Sequence, residues 1–421
     1  MKRLAFAAAL LCAAAARAEN APAAGPMDHA KAPACLESKP QCAATAEPAF
    51  AKDGRLWLAY SVGDSIYAAA STDKGKSFAP ATLVAKSSGG VIDANGEARP
   101  KIIALPDGPI VVSYTTRPEK SYSGSVFLTR STDGGKSFSA PQKLLEDDGQ
   151  RFDVFALSPR GRLYMAWLDK ADAEKAKAEG KSFAGSGVAV AWSNDGGATF
   201  AGKKILMDHS CECCRVGAAF DRDGQPVFVW RHVFDDNVRD HYAAKLSADG
   251  ATLAGGRVSE DQWATTCPHH GPSISIDAAG AWHIVWFARG KARQGLFYAV
   301  SRDGGKSFSA PEKFGDDAHA PSHAYILAAK DGLHRVWKEF DGETTRILQQ
   351  VSRDNGASWS APASAAETKN ASDHPLLLER KGASYLSWLT KDEGYRLLPL
   401  ARAAAAAPRH TRAAQIEAGA R

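Results

Sequence analysis

Past its first 18 residues the chain has no run of 18 apolar residues, so nothing in the mature sequence can span a membrane as a helix and a soluble protein is expected. It also lacks an excess of one charge. Fifty-two basic and 47 acidic residues give a formal net charge of +5. The first 18 residues carry three basic residues and no acidic one, so their removal leaves +2. No basic stripe with interleaved aromatics occurs, which argues against nucleic acid as a partner. Cysteine is sparse, at seven residues, and Cys12 lies in the leading segment. The six others are Cys35, Cys42, Cys211, Cys213, Cys214 and Cys267.

The leading segment has the pattern of a secretory signal. Met1-Lys2-Arg3 is a basic start, Leu4 to Ala16 is apolar, and Ala16-Arg17-Ala18 is an A-x-A cleavage site. The apolar run is too short for a membrane anchor. Cys12 follows Leu11, where a lipoprotein signal has a small residue. Cleavage after Ala18 is expected, with the mature chain secreted. The Ala-rich signal and the Ala/Arg-rich end of the chain suggest the bacterial periplasm.

What is abundant is repetition. S-x-D-x-G-x-[S/T]-[F/W] starts at Ser71, Ser131, Ser193, Ser301 and Ser352, and a shortened copy runs from Ser247 to Leu253. Intervals of about 50–60 residues mean a repeat architecture. In each copy Asp and Ser can bond turn amides, Gly permits positive φ, and the aromatic residue anchors the turn. A second series consists of strands ending in an aromatic residue: Tyr60, Tyr114, Trp167, Trp230, Trp286, Trp337 and Trp388, each preceded by a Gly turn. Their common position is explained by packing between repeats. Alternating apolar strands between Asp/Gly turns describe a meander repeated seven times. The expected fold is all-β, a β-propeller of four-stranded antiparallel blades. Seven blades are expected and six remain an alternative, because the last unit lacks the Asp motif and a clear fourth strand. The parsing is 1–18 signal, 19–43 flexible with a closing strand near 33–40, 44–401 propeller and 402–421 tail. Lys170–Gly180 is a charged, solvated helical insertion.

These motifs resemble the Asp-boxes of sialidases and the wider BNR-repeat β-propeller superfamily over nearly all of residues 44–400. The resemblance implies the propeller fold and an exo-sialidase or related glycoside hydrolase activity on a glycan. Such enzymes clamp a carboxylate with three arginines and attack with a Tyr assisted by Glu. Carried onto this chain, the residues are Arg99, Arg151 and Arg215, each at the start of a blade's first strand, with Tyr325. Bidentate guanidinium groups suit a carboxylate, and Tyr attack is a known exception among glycosidases. The chain departs from the pattern: Arg99-Pro100 lacks the Arg-Ile-Pro order and follows the first box, and Tyr325 has no evident Glu partner. The competing reading pairs these arginines with nearby carboxylates.

A further pattern concerns the loops that lead into each blade. Cys42, His209, the Cys211-Glu-Cys213-Cys214-Arg215 run, Cys267-Pro-His269-His270, His319, His323 and His374 all fall there. The propeller topology sends these loops to one face, opposite the Asp-boxes. Thiolates and imidazoles from neighbouring blades suit a transition metal, copper before zinc. The candidate ligands are Cys211, Cys213, Cys214, Cys267, His269, His270, His323 and His374. No standard zinc spacing is present, and Arg215 stands where covalent haem attachment needs His. Disulfides explain the same cysteines, as does a redox-active thiol pair. Three functions follow: a secreted propeller holding a metal or small ligand at its axial mouth, an exo-sialidase, or a disulfide-braced scaffold. Oligomeric state has no sequence signal.

Overall fold

Alternating apolar residues between Asp/Gly turns form seven antiparallel sheet units in the computed structural model, which describes residues 37–401 apart from 88, 122, 248 and 265–268. The first unit pairs Ala46–Phe50, Leu56–Val62, Ser65–Ser71 and Thr82–Lys86 in chain order. In the second, Val91–Ile92 and Lys101–Ala104 share Ile110–Arg117, followed by Ser125–Ser131 and Gln142–Lys143. The third is Gln150–Leu157, Leu163–Asp169, Ser186–Ser193 and Lys204–Ser210. The fourth is Gly217–Phe220, Pro226–Val233, Arg239–Leu246 and Thr252–Arg257. A single pairing of Ser210 with His232 joins the third and fourth units. The fifth starts at Ser273–Ile276 and the sixth at Ser322–Ala329, each with four strands. The seventh has three: Leu376–Arg380, Ala383–Thr390 and Gly394–Pro399.

The second strand of each unit explains the repeated aromatic residue. All seven residues of Leu163–Asp169 are buried. With side chains alternating across the sheet, Leu163, Met165 and Trp167 pack against the second unit, through Val111 and Val126. Tyr164, Ala166 and Leu168 pack against the fourth, through Phe228 and Trp230. The core is therefore a series of apolar layers between successive sheets. The last layer joins the ends of the chain, where Leu56, Leu58 and Tyr60 meet Leu389 and Tyr395.

The Ser/Asp/Gly turns are nearly identical in geometry. Gly75 N–H donates to Ser71 Oγ at 2.7 Å, and the equivalent bonds from Gly135, Gly197, Gly305 and Gly356 are 2.8 Å. Asp73 Oδ1 accepts from Ser77 N–H at 2.9 Å. Glycine is required at Gly135 twice over: its φ is +85°, and a Cβ there would overlap Trp57 of the preceding unit. Gly75 of the first unit sits in the same way against Tyr395 of the last. The shortened copy at Ser247 keeps the turn, with Ala251 N–H donating to Ser247 Oγ at 3.0 Å.

The charged insertion is the helix Ala171–Ala178, with no buried residue. The expected closing strand near 33–40 lies partly outside the described residues. Within the described part, Pro40–Cys42 is a 3₁₀ turn instead, as Pro40 at its first position favours. Cys42 is buried in the layer between the first and last units. The signal, most of the 19–43 segment and the tail after 401 lie outside the described residues. No helix among the described residues is long and apolar enough to cross a membrane.

Candidate functional site

The first strands of all seven units line one cavity of about 720 Å³. Its charged and polar lining includes Glu47, Glu97, Arg99, Lys101, Asp153, Arg215 and Tyr325. Three loops converge on Glu97. Asn95 Oδ1 accepts from Glu97 and Ala98 N–H at 2.9 and 3.0 Å, a local turn that fixes the carboxylate. Glu97 Oε2 accepts from the N–H groups of Arg215 at 3.1 Å and Gly271 at 2.8 Å. Glu97 Oε1 pairs with the Arg215 guanidinium. Burial alone would raise the Glu97 carboxyl, but the Arg215 guanidinium holds it well below its usual range. Gly271 is required here, because a Cβ would strike Arg215 and Glu97.

Three histidines gather over this carboxylate. The His270 and His323 ring centroids are 4.1 Å apart, and those of His323 and His374 are 3.5 Å apart. His374 Nδ1 lies 3.5 Å and His323 Nδ1 3.8 Å from Glu97 Oε1. At those lengths neither is a firm hydrogen bond, and the Nδ1 atoms of His270, His323 and His374 are all buried without a partner. One ligand atom from each of Glu97, His323 and His374 falls within 4.8 Å of the others. Burial pushes His270 and His323 well below the usual imidazole value and His374 to about 3, so all three are neutral at pH 7. The backbone aims these rings. His323 sits at φ 50° inside a register shift between Ser322 and Tyr325, the kind of bulge that redirects a side chain. The His374 ring lies on Gly96, where a Cβ would collide with it.

The arginines behave differently from one another. Arg99 pairs with Asp373 at 2.7 Å and donates to Ala46 O at 3.2 Å, tying the second unit to the seventh and first. Arg215 pairs with Glu97 and stacks over Tyr325 at 4.4 Å. Arg151 pairs with Asp93 at 2.7 Å and does not line the cavity. A register shift between Arg151 and Val154, with Phe152 at φ 54°, turns it away. Three arginines therefore do not meet around one carboxylate position. Each is held by a buried acid, as the competing reading required. Tyr325 is half-buried, and desolvation raises its hydroxyl pKa.

The predicted ligand set divides. His270, His323 and His374 come together. His269 lies against Phe152, with ring centroids 6.3 Å apart. Of the other histidines on these loops, His209 bonds the Ala184 carbonyl at 2.9 Å and His319 pairs with Asp316 at 3.1 Å. Cys213 corrects the expectation, because it is disulfide-bonded and offers no thiolate to a metal. Cys211 and Cys214 are buried thiols. Cys267 lies outside the described residues. Glu97 was missed by the sequence reading. Its position in the loop leading into the second unit, equivalent to the Cys/His loops, was the available signal.

No protein-family model matches the chain, and no curated protein matches it. Solved structures do. An ulvan lyase of polysaccharide lyase family PL25 superposes with a TM-score of 0.56 at 11% identity, covering 83% of this chain and 90% of the other. A Hadza microbial sialidase gives 0.48 at 13% identity, covering 82% and 73%. An α-L-arabinanase of Penicillium chrysogenum gives 0.42 at 14%, covering 73% and 88%. The likeness to the lyase is one of fold, a propeller-like set of antiparallel sheets.

Proposed function

We propose that the seven sheets close into a seven-bladed Asp-box propeller spanning residues 44–401, secreted to the periplasm after loss of residues 1–18, and that its axial mouth binds a divalent transition ion. Glu97, His323 and His374 are the ligands. One observation supports this reading above others: the half-buried His323 and His374 keep buried, unpartnered Nδ1 atoms beside the buried Glu97 carboxylate. Each unsatisfied buried nitrogen costs about 1–3 kcal/mol. One ion would satisfy both. Ligands about 2.0–2.1 Å from a tetrahedral ion stand roughly 3.4 Å apart, close to the His–Glu97 separations of 3.5 and 3.8 Å. Imidazole and carboxylate donors suit zinc and copper(II), and copper binds such sites more tightly. The N–H groups of Arg215 and Gly271 orient the carboxylate from behind.

The ion also defines its ligand class. Arg215 already balances Glu97, so the ion's own charge would be uncompensated at the site and would draw an anionic, oxygen-rich molecule. The ulvan lyase of similar fold is bound to a -[GlcA(1-4)Rha3S]- saccharide, which makes acidic glycans the first ligands to test. Metal analysis of tag-free protein is expected to give one ion per chain, lost in His323→Ala/His374→Ala. A metal-free wild type, or a variant with undiminished metal, overturns the reading. Metal-independent hydrolysis of a fluorogenic sialoside, abolished by Arg215→Ala, favours the hydrolase reading built on Arg99, Arg215 and Tyr325.

A further inference from the structure

A second constellation lies apart from the histidines, in the segment leading into the fourth unit. Cys211 and Cys214 are buried thiols, and Cys213 between them is half-buried and disulfide-bonded. The three sulfurs lie within 4.8 Å of one another, and Cys211 Sγ is 3.9 Å from Cys213 Sγ. Two guanidinium groups reach Cys211 Sγ, from Arg231 at 3.6 Å and Arg239 at 3.7 Å. Arg231 is fixed in place: its Nε donates to Arg239 O at 2.7 Å, and it stacks on Trp263 at 3.5 Å. Among the described residues neither arginine has a carboxylate ion pair, so Cys211 is the anion they face. The Cys214 thiol and both arginines hold Cys211 down to about 5 against burial, and Cys214 is raised well above its usual value. This is the division of labour of a reactive C-x-x-C pair, one thiolate and one proton-bearing reserve.

We infer that Cys211, Cys213 and Cys214 form a disulfide relay, in which the Cys213 disulfide exchanges for a Cys211–Cys214 disulfide. The Cys211 thiolate attacks Cys213 Sγ. A Cys211–Cys213 bond forms, and the sulfur formerly bonded to Cys213 leaves as a thiolate. That thiolate takes the Cys214 proton. Cys214 then attacks Cys211 Sγ, and Cys213 leaves as a thiolate. One disulfide and two thiol groups exist before and after, so no external oxidant is consumed. The strained bond between adjacent Cys213 and Cys214 is never required. The exchange stores the disulfide in the buried pair and presents the half-buried Cys213 as a thiolate to a disulfide-bearing redox partner.

Trypsin reads the two states directly, because the peptide after Lys204 and ending at Arg215 contains all three cysteines. Protein equilibrated with trace glutathione, acid-quenched, alkylated and digested is expected to yield that peptide in two forms. One is cross-linked to a second peptide, and the other carries an internal disulfide in about a tenth of chains or more. Cys214→Ser should trap the internal Cys211–Cys213 bond. Cys211→Ser should leave only the cross-linked form. A wild type that is solely cross-linked, a Cys214→Ser protein without an internal bond, or stoichiometric metal bound to Cys211 and Cys214 would overturn the relay.

Discussion

Replacing Glu97 by Gln changes one atom and tests the centre of the site. The carboxylate accepts from Arg215 and Gly271 N–H on Oε2 and from the Arg215 guanidinium on Oε1. A glutamine must turn its NH₂ toward one of these donor groups, so one set of bonds is lost in either orientation. The lost bonds cost about 1–3 kcal/mol. Arg215 is 8% exposed and would lose its only ion-pair partner among the described residues, and breaking such a buried pair costs about 3–5 kcal/mol. The two overlap, so about 3–5 kcal/mol of destabilisation is expected for the metal-free protein. Added zinc at 100 times its dissociation constant should stabilise the wild type by about 2.7 kcal/mol and the variant by far less. Denaturant unfolding with and without zinc measures both quantities. A variant within about 1 kcal/mol of the wild type, or one with an equal zinc increment, would refute the assignment of Glu97.

Arg99→Met should cost about 3–5 kcal/mol, because Asp373, with its side chain 2% exposed, loses its cation; an unchanged denaturation midpoint counts against that pairing. Trp167→Ala should cost about 3–5 kcal/mol by opening a cavity between the second and third units. Gly135→Ala forces a Cβ onto Trp57 at φ +85° and should cost about 1–3 kcal/mol, whereas Gly134→Ala, with open space around it, should keep more stability. The Asp-box carboxylates titrate low: hydrogen bonds from Ser77 and Ser307 hold Asp73 and Asp303 at about 2 against the usual 3.8. A depressed carboxylate stabilises the fold above its unfolded value, so stability should fall between about pH 4 and 2; a flat profile across that window would contradict the turn geometry.

The periodic parts of the molecule were readable because each repeat states the same requirement. The repeated aromatic residues of the second strands, from Tyr60 to Trp388, fall where a strand is covered on both faces. The sites were less readable because they depend on exceptions. Arg99, Arg151 and Arg215 occupy equivalent positions in sequence. Only a bulge, with Phe152 at φ 54°, separates Arg151 from the others, and no residue pattern announces it. Glu97 is a single carboxylate in a loop, conspicuous only once the fold brings His323 and His374 beside it. The bonding of Cys213 was open for a different reason: spacing does not determine disulfide connectivity.

The seam between the first and last units is made of side chains rather than a shared strand. Asp373 joins Ala46 and Arg99, Arg380 reaches the Ala51 carbonyl, and Tyr395 meets Phe78 and Gly75. The residue after Asp373 is His374. Any opening of the seam therefore pulls one imidazole away from Glu97 while the other two stay with the fifth and sixth units. The proposed ion, held by Glu97, His323 and His374, would act as a rivet across this seam, and its removal would leave the two units fastened by the remaining side-chain contacts. Slow hydrogen exchange in Ala46–Phe50 and Leu376–Arg380 would then gauge whether the proposed ion is bound.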